Sequence, residues 1–134
     1  MIRVAIADDH DRLRQALVFI LGRIAGINIV AECSNGREAV ELVKKHSPDV
    51  MLMDINMEPL NGIQATEKIT KAFPSTRIVG MSMHTDISYV NRMLKAGAAG
   101  YLTKNSSVDE IVAAIQLTSK GQTYICEEIR TSLS

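Results

Sequence analysis

The sequence predicts an α/β fold in which helices cover both faces of a parallel sheet. Short apolar runs typical of buried strands alternate about five times with segments whose apolar residues recur at helical spacing. The connections between them are short and contain turn-forming residues. Parallel strands need right-handed crossovers, so successive helices wind onto both faces of the sheet. We therefore predict a doubly wound, five-stranded parallel sheet forming one domain over residues 1–121.

The predicted strands are short, unbroken apolar runs bounded by turn-forming residues. They are Ile2–Ala7, Ile27–Cys33 and the runs at 50–53, 77–81 and 101–102. The run at 50–53 is the most informative, because it ends directly in Asp54 and a segment with Pro59 and Gly62 follows. Asp54 thus falls at the carboxyl end of a strand, where open α/β sheets place their ligand sites. Taken alone, however, an Asp at this point more often begins a turn.

Three helices are predicted to begin at capping boxes, in which residues three apart satisfy each other's backbone N–H groups. The pairs are Asn35 with Glu38, Asn61 with Gln64 and Ser107 with Glu110. The first helix, whose apolar face includes Ile20, is predicted to stop at Gly26. The tail, residues 122–134, is predicted to be either a further helix or the start of a linker to another domain.

Composition limits the possible classes of protein. The chain has 134 residues, 46% of them apolar, which suits a folded domain that needs no disulfide or metal staple. Fifteen basic and fifteen acidic residues balance, so this segment has no charge excess that favours nucleic-acid binding. Cys33 and Cys126 lack metal-ligand spacing. No apolar run approaches membrane-spanning length, and we expect a cytoplasmic protein with no membrane partner.

Polar side chains follow the predicted strands at the points where the strands end. They are Asp8, Asp9, Asp54, Ser82 and Lys104. Strand carboxyl ends meet at one rim of a doubly wound sheet, so these groups are expected to lie together. Crowded carboxylates raise one another's pKa unless a cation shares the site, and oxygen ligands suit Mg²⁺. A carboxylate nucleophile beside a cation, a lysine and a hydroxyl is suited to phosphoryl capture.

Each of these residues has an ordinary structural explanation when it is considered alone. An acid after a strand is commonly a turn or helix cap, a lone serine is a loop hydroxyl, and a lone lysine is a solvated charge. His10 and His84 are expected beside the site or at the surface rather than as ligands. The joint occurrence of the polar residues on successive strands favours a functional site.

The chain resembles the receiver domains of bacterial two-component response regulators from Arg3 to about Gly121. Four pieces in order carry the resemblance: Ala7-Asp8-Asp9-His10, Asp54-Ile55-Asn56-Met57 with Asn61-Gly62, Met81-Ser82-Met83-His84, and Gly97-Ala98-Ala99-Gly100-Tyr101-Leu102-Thr103-Lys104. The last two are similar to the NarL/FixJ (LuxR-type) branch. The resemblance implies a flavodoxin-like fold with strand order 2-1-3-4-5.

The resemblance also implies roles for individual residues. Asp54 would accept a phosphoryl group from a histidine kinase. Asp9, Asp54 and the backbone carbonyl of Asn56 would bind Mg²⁺ directly, with Asp8 acting mainly through water. Ser82 and Lys104 would hold the phosphoryl oxygens.

Further implied roles concern switching and output. Ser82 and Tyr101 would form the switch, although a half-buried structural aromatic is the ordinary explanation of Tyr101. Asn56, Met83 and His84 would tune the lifetime of the aspartyl phosphate. Branch members usually carry a helix-turn-helix domain, which would bind DNA and is not found in this chain, and a phosphorylation-dependent homodimer is a further expectation.

One departure from the family pattern lies in the loop after Asp54. Proline commonly follows the position of Met57 directly, whereas here Glu58 intervenes before Pro59 and Gly62 keeps its place. The extra carboxylate would either alter Mg²⁺ affinity or kinase docking, or point to solvent, and we expect the latter.

Three other classes of protein share part of this pattern. A haloacid-dehalogenase-like phosphatase also uses an Asp nucleophile with Mg²⁺, but it expects a second acid where Asn56 stands. A pseudo-receiver acting as a binding module is disfavoured by the intact acids, Ser82 and Lys104. A flavodoxin-like nucleotide binder would need a glycine-rich phosphate loop after the first strand. We expect a signalling domain that assists its own phosphorylation and dephosphorylation but is not a turnover enzyme.

Overall fold

The structure, a computed structural model, describes residues 1–83 and 87–133. Strands and helices alternate along the chain. In order they are β1 (Ile2–Ala7), α1 (Asp11–Leu21), β2 (Ile27–Cys33), α2 (Gly36–His46), β3 (Val50–Asp54), α3 (Gly62–Ala72), β4 (Arg77–Ser82), α4 (Ile87–Lys95), β5 (Gly100–Thr103), α5 (Val108–Ser119), β6 (Tyr124–Ile125) and α6 (Glu127–Leu133). No described helix is long and apolar enough to cross a membrane.

The strands form one parallel sheet in the order β2-β1-β3-β4-β5-β6. The α/β class and the order of the first five strands are as predicted, but the predicted number of strands was wrong. The sixth strand is Tyr124–Ile125, which pairs with Gly100 and Tyr101 of β5. Two residues are too few for a periodic apolar pattern, so only the pairing with a sheet edge identifies this strand.

The helices cover both faces of the sheet. Helices α1 and α5 pack on one face, and α2, α3 and α4 pack on the other. All five residues of β3 are buried because this strand lies inside the sheet with helices above and below it. Its carboxyl end therefore places Asp54 at the middle of the rim.

The capping prediction holds fully at one helix. The Asn61 side chain accepts from Gln64 N at 2.8 Å, and the Gln64 side chain accepts from Asn61 N at 3.1 Å. At α2, Asn35 Oδ1 accepts from Glu38 N at 2.9 Å, but Glu38 Oε1 accepts from Ser34 N at 3.3 Å and from Asn35 Nδ2 at 3.0 Å instead of from the backbone N–H of Asn35. The predicted box at α2 is therefore half formed and shifted by one residue.

The box predicted at α5 is also half formed, because Glu110 has another role. Ser107 Oγ accepts from Glu110 N at 3.1 Å as expected. Glu110 Oε2, however, accepts from Tyr124 Oη at 2.9 Å and from Glu127 N at 2.8 Å. The carboxylate thus ties α5 to the tail.

The tail is packed on the domain. Cys126 and Ile129 are fully buried, and Thr103 Oγ1 at the end of β5 donates to Glu128 Oε1 at 2.6 Å. Of the two forms predicted for residues 122–134, a further helix is observed over Glu127–Leu133. The division of the chain at residue 121 stays a prediction.

The first helix ends earlier than predicted. Its last residue is Leu21, and Gly26, with φ of 88°, lies in the turn before β2. Ile20, predicted on the apolar face, is 37% exposed, and Phe19 is 64% exposed. Leu17 and Leu21, which belong to the same predicted apolar face, are buried as expected and lie one helical turn apart.

Candidate functional site

The rim of the sheet brings the ends of four strands to one level. Asp54 pairs with Met81 in register, and Ile55 N donates to Met81 O at 3.3 Å. Lys104 N donates to Ser82 O at 2.9 Å. Because parallel strands end at the same edge, the polar residues that follow β1, β3, β4 and β5 converge there, as predicted.

The chain turns sharply after Asp54. Gly62 N donates to Ile55 O at 2.8 Å, which closes the loop between β3 and α3. A Cβ at Gly62 would collide with the backbone carbonyl of Asp54, so only glycine permits this approach. The loop seals the back of Asp54, whose side chain is 2% exposed.

Lys104 points into the pocket formed by the acids. Its Nζ lies 3.1 Å from Asp8 Oδ2 and 3.3 Å from Asp54 Oδ1. The side chain of Lys104 is 5% exposed and that of Asp8 is 3% exposed. One ammonium therefore contacts two buried carboxylates, and the pocket carries excess negative charge.

His10 lies over the mouth of the pocket. Its side chain is 60% exposed, but Nδ1 lies 3.1 Å from Asp8 Oδ1, 3.3 Å from Asp9 Oδ1 and 2.9 Å from Lys104 Nζ. The imidazole is therefore in direct contact with the acids. His10 therefore lies beside the site, as expected, and its contact with the acids is closer than expected.

Burial and a neighbouring negative charge disfavour the ionised form of Asp54. Its pKa is raised from 3.8 to about 7, chiefly by burial and then by the charge of Asp8. Lys104 acts in the opposite direction, and a hydrogen bond with Asp9 raises the pKa further. Asp54 Oδ2 is buried, and no residue that the structure describes forms a hydrogen bond with it. One lysine does not neutralise the cluster.

The cluster fits a divalent cation. One ligand atom from each of Asp8, Asp9, His10 and Asp54 lies within 4.8 Å of the others. Carboxylate oxygens are the ligands that Mg²⁺ prefers, and the unpartnered Oδ2 of Asp54 offers one of them. The donor set therefore suits the Mg²⁺ that the resemblance implies.

The comparison with known families agrees with this geometry. The family described as the response regulator receiver domain matches residues 4–116. This chain belongs to that family. It is the receiver domain of a two-component response regulator, and the resemblance stated from the sequence is confirmed.

The curated relatives of this receiver are proteins named as regulators. The transcriptional regulatory protein DegU of Brevibacillus brevis is 39% identical over 98% of this chain and 56% of its own length. The response regulator UvrY of Escherichia coli K12 is 37% identical over the whole chain and 62% of its own length. The chain thus spans about three-fifths of these curated relatives.

A solved structure shows the same fold. A LuxR-family two-component response regulator from Aurantimonas sp. SI85-9A1 superposes with a TM-score of 0.93 at 30% identity, covering 98% of this chain and 94% of that one. Membership of the receiver family sets aside the phosphatase and nucleotide-binding alternatives.

The remaining predicted site residues of the receiver lie around the pocket or beneath it. Ser82 is fully buried at the end of β4, and Asn56 is exposed with its N–H 3.4 Å from Asp54 Oδ1. Met83 is 65% exposed. His84 lies outside the described residues. Tyr101 is fully buried and not half-buried, near Gly80 and Met93.

Glu58 is exposed, as expected, but it also faces the approach to the site. It lines an open cavity of about 580 Å³ together with Asp9, Asn56 and Pro59. The cavity leads from solvent to the acidic end of the rim. Glu58 therefore adds negative charge to the entry path without entering the pocket.

Sequence reasoning missed Arg14. Its Nη1 donates to the backbone carbonyl of Asp8 at 2.7 Å, and its Nε donates to Glu32 at 2.9 Å. Arg14 thus fixes the turn that carries Asp8 and Asp9 to the pocket. The sequence feature that could have revealed this role is the position of Arg14 four residues after His10, on the same face of a helix.

Proposed function

We propose that the receiver captures a phosphoryl group on Asp54 from the phosphohistidine of a sensor histidine kinase, with Mg²⁺ as the cofactor. The observation that carries this proposal is the buried Asp54 carboxylate, whose Oδ2 has no hydrogen-bond partner among the described residues while Oδ1 lies 3.3 Å from Lys104 Nζ. An ionised carboxylate held in this way is a nucleophile whose charge is only partly compensated. Bonding of an electrophile to Asp54 would relieve more of the repulsion between the carboxylates than bonding to any other acid of the pocket.

Each acid has a distinct part in holding the cation. Asp9 and Asp54, with the backbone carbonyl of Asn56, would bind Mg²⁺ directly. Asp8 would act through water, since its oxygens are already engaged with Lys104 and with the backbone N–H of His10 at 2.8 Å. When bound, Mg²⁺ would offset charge on the carboxylates and on the phosphoryl oxygens.

Lys104 and Ser82 would bind the phosphoryl oxygens. Lys104 carries only donors and is held in place between Asp8 and Asp54. Ser82 offers a hydroxyl at the end of the neighbouring strand. Binding of the transferred group at two fixed donors stabilises the charge that is spread over its oxygens in the transition state.

The same two contacts would report phosphorylation to the rest of the domain. Ser82 would move toward the phosphoryl group, and Tyr101 would turn into the space that Ser82 leaves. The Tyr101 ring lies near Met93 of α4, so its movement would reach the face formed by α4, β5 and α5. Such a switch needs two states separated by a few kcal/mol, which the new contacts bias.

Asn56, Met83 and His84 would set the lifetime of the aspartyl phosphate by controlling the access of water. Asn56 and Met83 are exposed beside the strand ends that carry Asp54 and Ser82. Replacing each residue in turn should change the rate at which the phosphorylated form decays. Decay rates that stay unchanged in every variant would remove this part of the proposal.

The output would be control of transcription by a longer protein. DegU, a relative named as a transcriptional regulatory protein, extends well beyond the region matched here. Residues 1–121 would form the phosphoacceptor domain, and residues from 122 would lead toward a helix-turn-helix domain that binds DNA. Phosphorylation would favour a homodimer.

The test uses acetyl phosphate with Mg²⁺ and intact-protein mass spectrometry. About one phosphoryl group per chain is expected on the parent protein, and none on Asp54→Asn, because the amide is not a nucleophile. Asp109→Asn, an exposed acid on α5, is the matched control and should be phosphorylated like the parent. Hydrolysis of many equivalents would indicate a turnover enzyme, and an unaltered mass would indicate a pseudo-receiver.

A further inference from the structure

His10 faces the acids with one ring nitrogen. Nδ1 lies 3.1 Å from Asp8 Oδ1, 3.3 Å from Asp9 Oδ1 and 3.9 Å from Asp54 Oδ2. A ligand atom bound at about 2.1 Å to an octahedral ion lies about 3 Å from its neighbours at right angles. The separation of Nδ1 from Asp9 Oδ1 is close to this value. The imidazole nitrogen and the Asp9 carboxylate are therefore spaced as two ligands of one ion, with Asp8 beside them as the acid that acts through water.

The backbone holds the ring in this orientation. His10 N donates to Asp8 Oδ1 at 2.8 Å, and His10 O accepts from Arg14 N in the first turn of α1. His10 occupies the N-cap position of α1, yet its side chain makes no capping hydrogen bond. The ring is therefore turned from the helix toward the pocket.

Nδ1 is directed inward. Lys104 Nζ lies 2.9 Å from it, and an ammonium group only donates, so in the tautomer that carries the proton on Nε2 the lone pair of Nδ1 accepts in this contact. A metal ligand must present the same lone pair. The Lys104 ammonium already makes the contacts to Asp8, Asp54 and His10 that a bound cation would make.

A second observation points to a cation and does not depend on His10. Asp54 is 2% exposed, and its Oδ2 is buried with no hydrogen-bond partner in residues 1–83 and 87–133. This oxygen belongs to the same group of atoms, all within 4.8 Å of one another. A buried carboxylate oxygen without a donor is stabilised by a positive charge placed beside it.

We propose that His10 Nδ1 is a ligand of the cation site, which raises the affinity of this receiver for divalent first-row transition ions relative to its affinity for Mg²⁺. The inference rests on the proposed function, since it concerns the cation site of the same pocket. Imidazole suits Co²⁺, Ni²⁺ and Zn²⁺, whereas Mg²⁺ selects oxygen and retains water. The nitrogen sets the metal preference, and the carboxylates supply the charge that any divalent ion needs.

The first measurement compares affinities for Mg²⁺ and Co²⁺ by calorimetry, with protein that carries no polyhistidine tag. The ratio of Co²⁺ affinity to Mg²⁺ affinity should fall about tenfold or more in His10→Gln, because one nitrogen ligand is lost. His46→Gln, at the end of α2 and away from the rim, is the matched control and should keep the ratio of the parent. An unchanged ratio in His10→Gln would overturn the inference.

The second measurement detects the nitrogen directly. Electron spin-echo envelope modulation of Mn²⁺ bound to the parent protein should show coupling to a ¹⁴N nucleus. This coupling should be lost in His10→Gln. Absence of the coupling in the parent overturns the inference. Coupling that is lost in His84→Gln and kept in His10→Gln overturns it as well.

The parent protein separates this inference from the proposed function. If Mg²⁺ binds and Asp54 is phosphorylated, but no nitrogen is coupled to Mn²⁺, only the role of His10 fails. If neither Mg²⁺ nor Mn²⁺ binds and no phosphoryl group is captured, the proposed function fails first and the role of His10 fails with it.

Discussion

Two regions at the same rim of the sheet, one around the buried Asp54 and one around the half-buried Glu110, treat their carboxylates in opposite ways. Between β1 and β3, Asp54 is buried, its Oδ2 has no partner in the described part of the chain, and its pKa is raised to about 7. At the other end of the rim, Glu110 Oε2 accepts from Tyr124 Oη and from Glu127 N. The first region stores unfavourable electrostatic energy, and the second is saturated with donors. Unsatisfied charge therefore distinguishes the functional site from structural contacts that use the same residue types.

The packing of α6 gives the largest expected effect on stability. Ile129 is fully buried, so Ile129→Ala should lower the free energy of unfolding by about 2–5 kcal/mol through lost burial and a cavity. Chemical denaturation measures this change. Ile20→Ala, at a position 37% exposed on α1, is the matched control and should change stability by less than about 1 kcal/mol. Equal effects of the two changes would show that α6 is not part of the cooperative unit.

Removal of the charge of Asp54 should raise the free energy of unfolding instead of lowering it. Its pKa is about 7 in the folded state and 3.8 in the unfolded reference, so ionisation opposes folding above pH 7. Without divalent ions at pH 8, Asp54→Asn should raise the free energy of unfolding by roughly 2–4 kcal/mol. The gain should shrink as the pH falls from 7 toward 4, because protonation relieves the same repulsion in the parent.

The pH dependence separates this explanation from a simple packing effect. Denaturation curves of parent and variant between pH 4 and 8 should converge on the acid side. A gain that is the same at every pH would contradict the electrostatic origin. Asp109→Asn at the exposed start of α5 is the control and should not show this convergence.

Mg²⁺ should stabilise the region around Asp54 and leave the region around Glu110 unchanged. At about one hundred times the dissociation constant, a ligand that binds only the folded state adds about 2.7 kcal/mol. The thermal unfolding midpoint of the parent should rise with Mg²⁺, and a chelator should reverse the change. Asp54→Asn should respond less, since it lacks one ligand charge. Equal responses would place the cation elsewhere.

The smallest effect is expected at the contact between β5 and α6. Thr103→Val removes the hydrogen bond from Thr103 Oγ1 to Glu128 Oε1 and should lower stability by about 1 kcal/mol. Thr103→Val should increase the rate of amide hydrogen exchange in α6 more than in the rest of the domain. Thr131→Val, at an exposed position within α6, is the matched control. Unchanged exchange in α6 for Thr103→Val would show that burial alone holds the helix.

Sequence patterns predicted the first five strands and their polar ends because local chemistry carries that information. An apolar run that ends in an acid defines both a buried strand and the rim that it reaches, as at Asp54. The capping pair Asn61 and Gln64 was equally local, and its hydrogen bonds form as the spacing predicts. Glu110 was misassigned, since its spacing from Ser107 fits a cap while its side chain bonds to Tyr124 and Glu127, more than ten residues away.

The sequence by itself determined the α/β class, the order of chemical groups along the chain and the family. Tertiary structure decided what lies beyond the reach of local patterns. It added the strand Tyr124–Ile125 through pairing with β5, buried Tyr101 completely, and placed His10 against Asp8 and Lys104. The physical reason is that periodicity reports which face of an element is apolar, whereas pairing partners and the direction of polar side chains depend on residues that only the folded chain brings together.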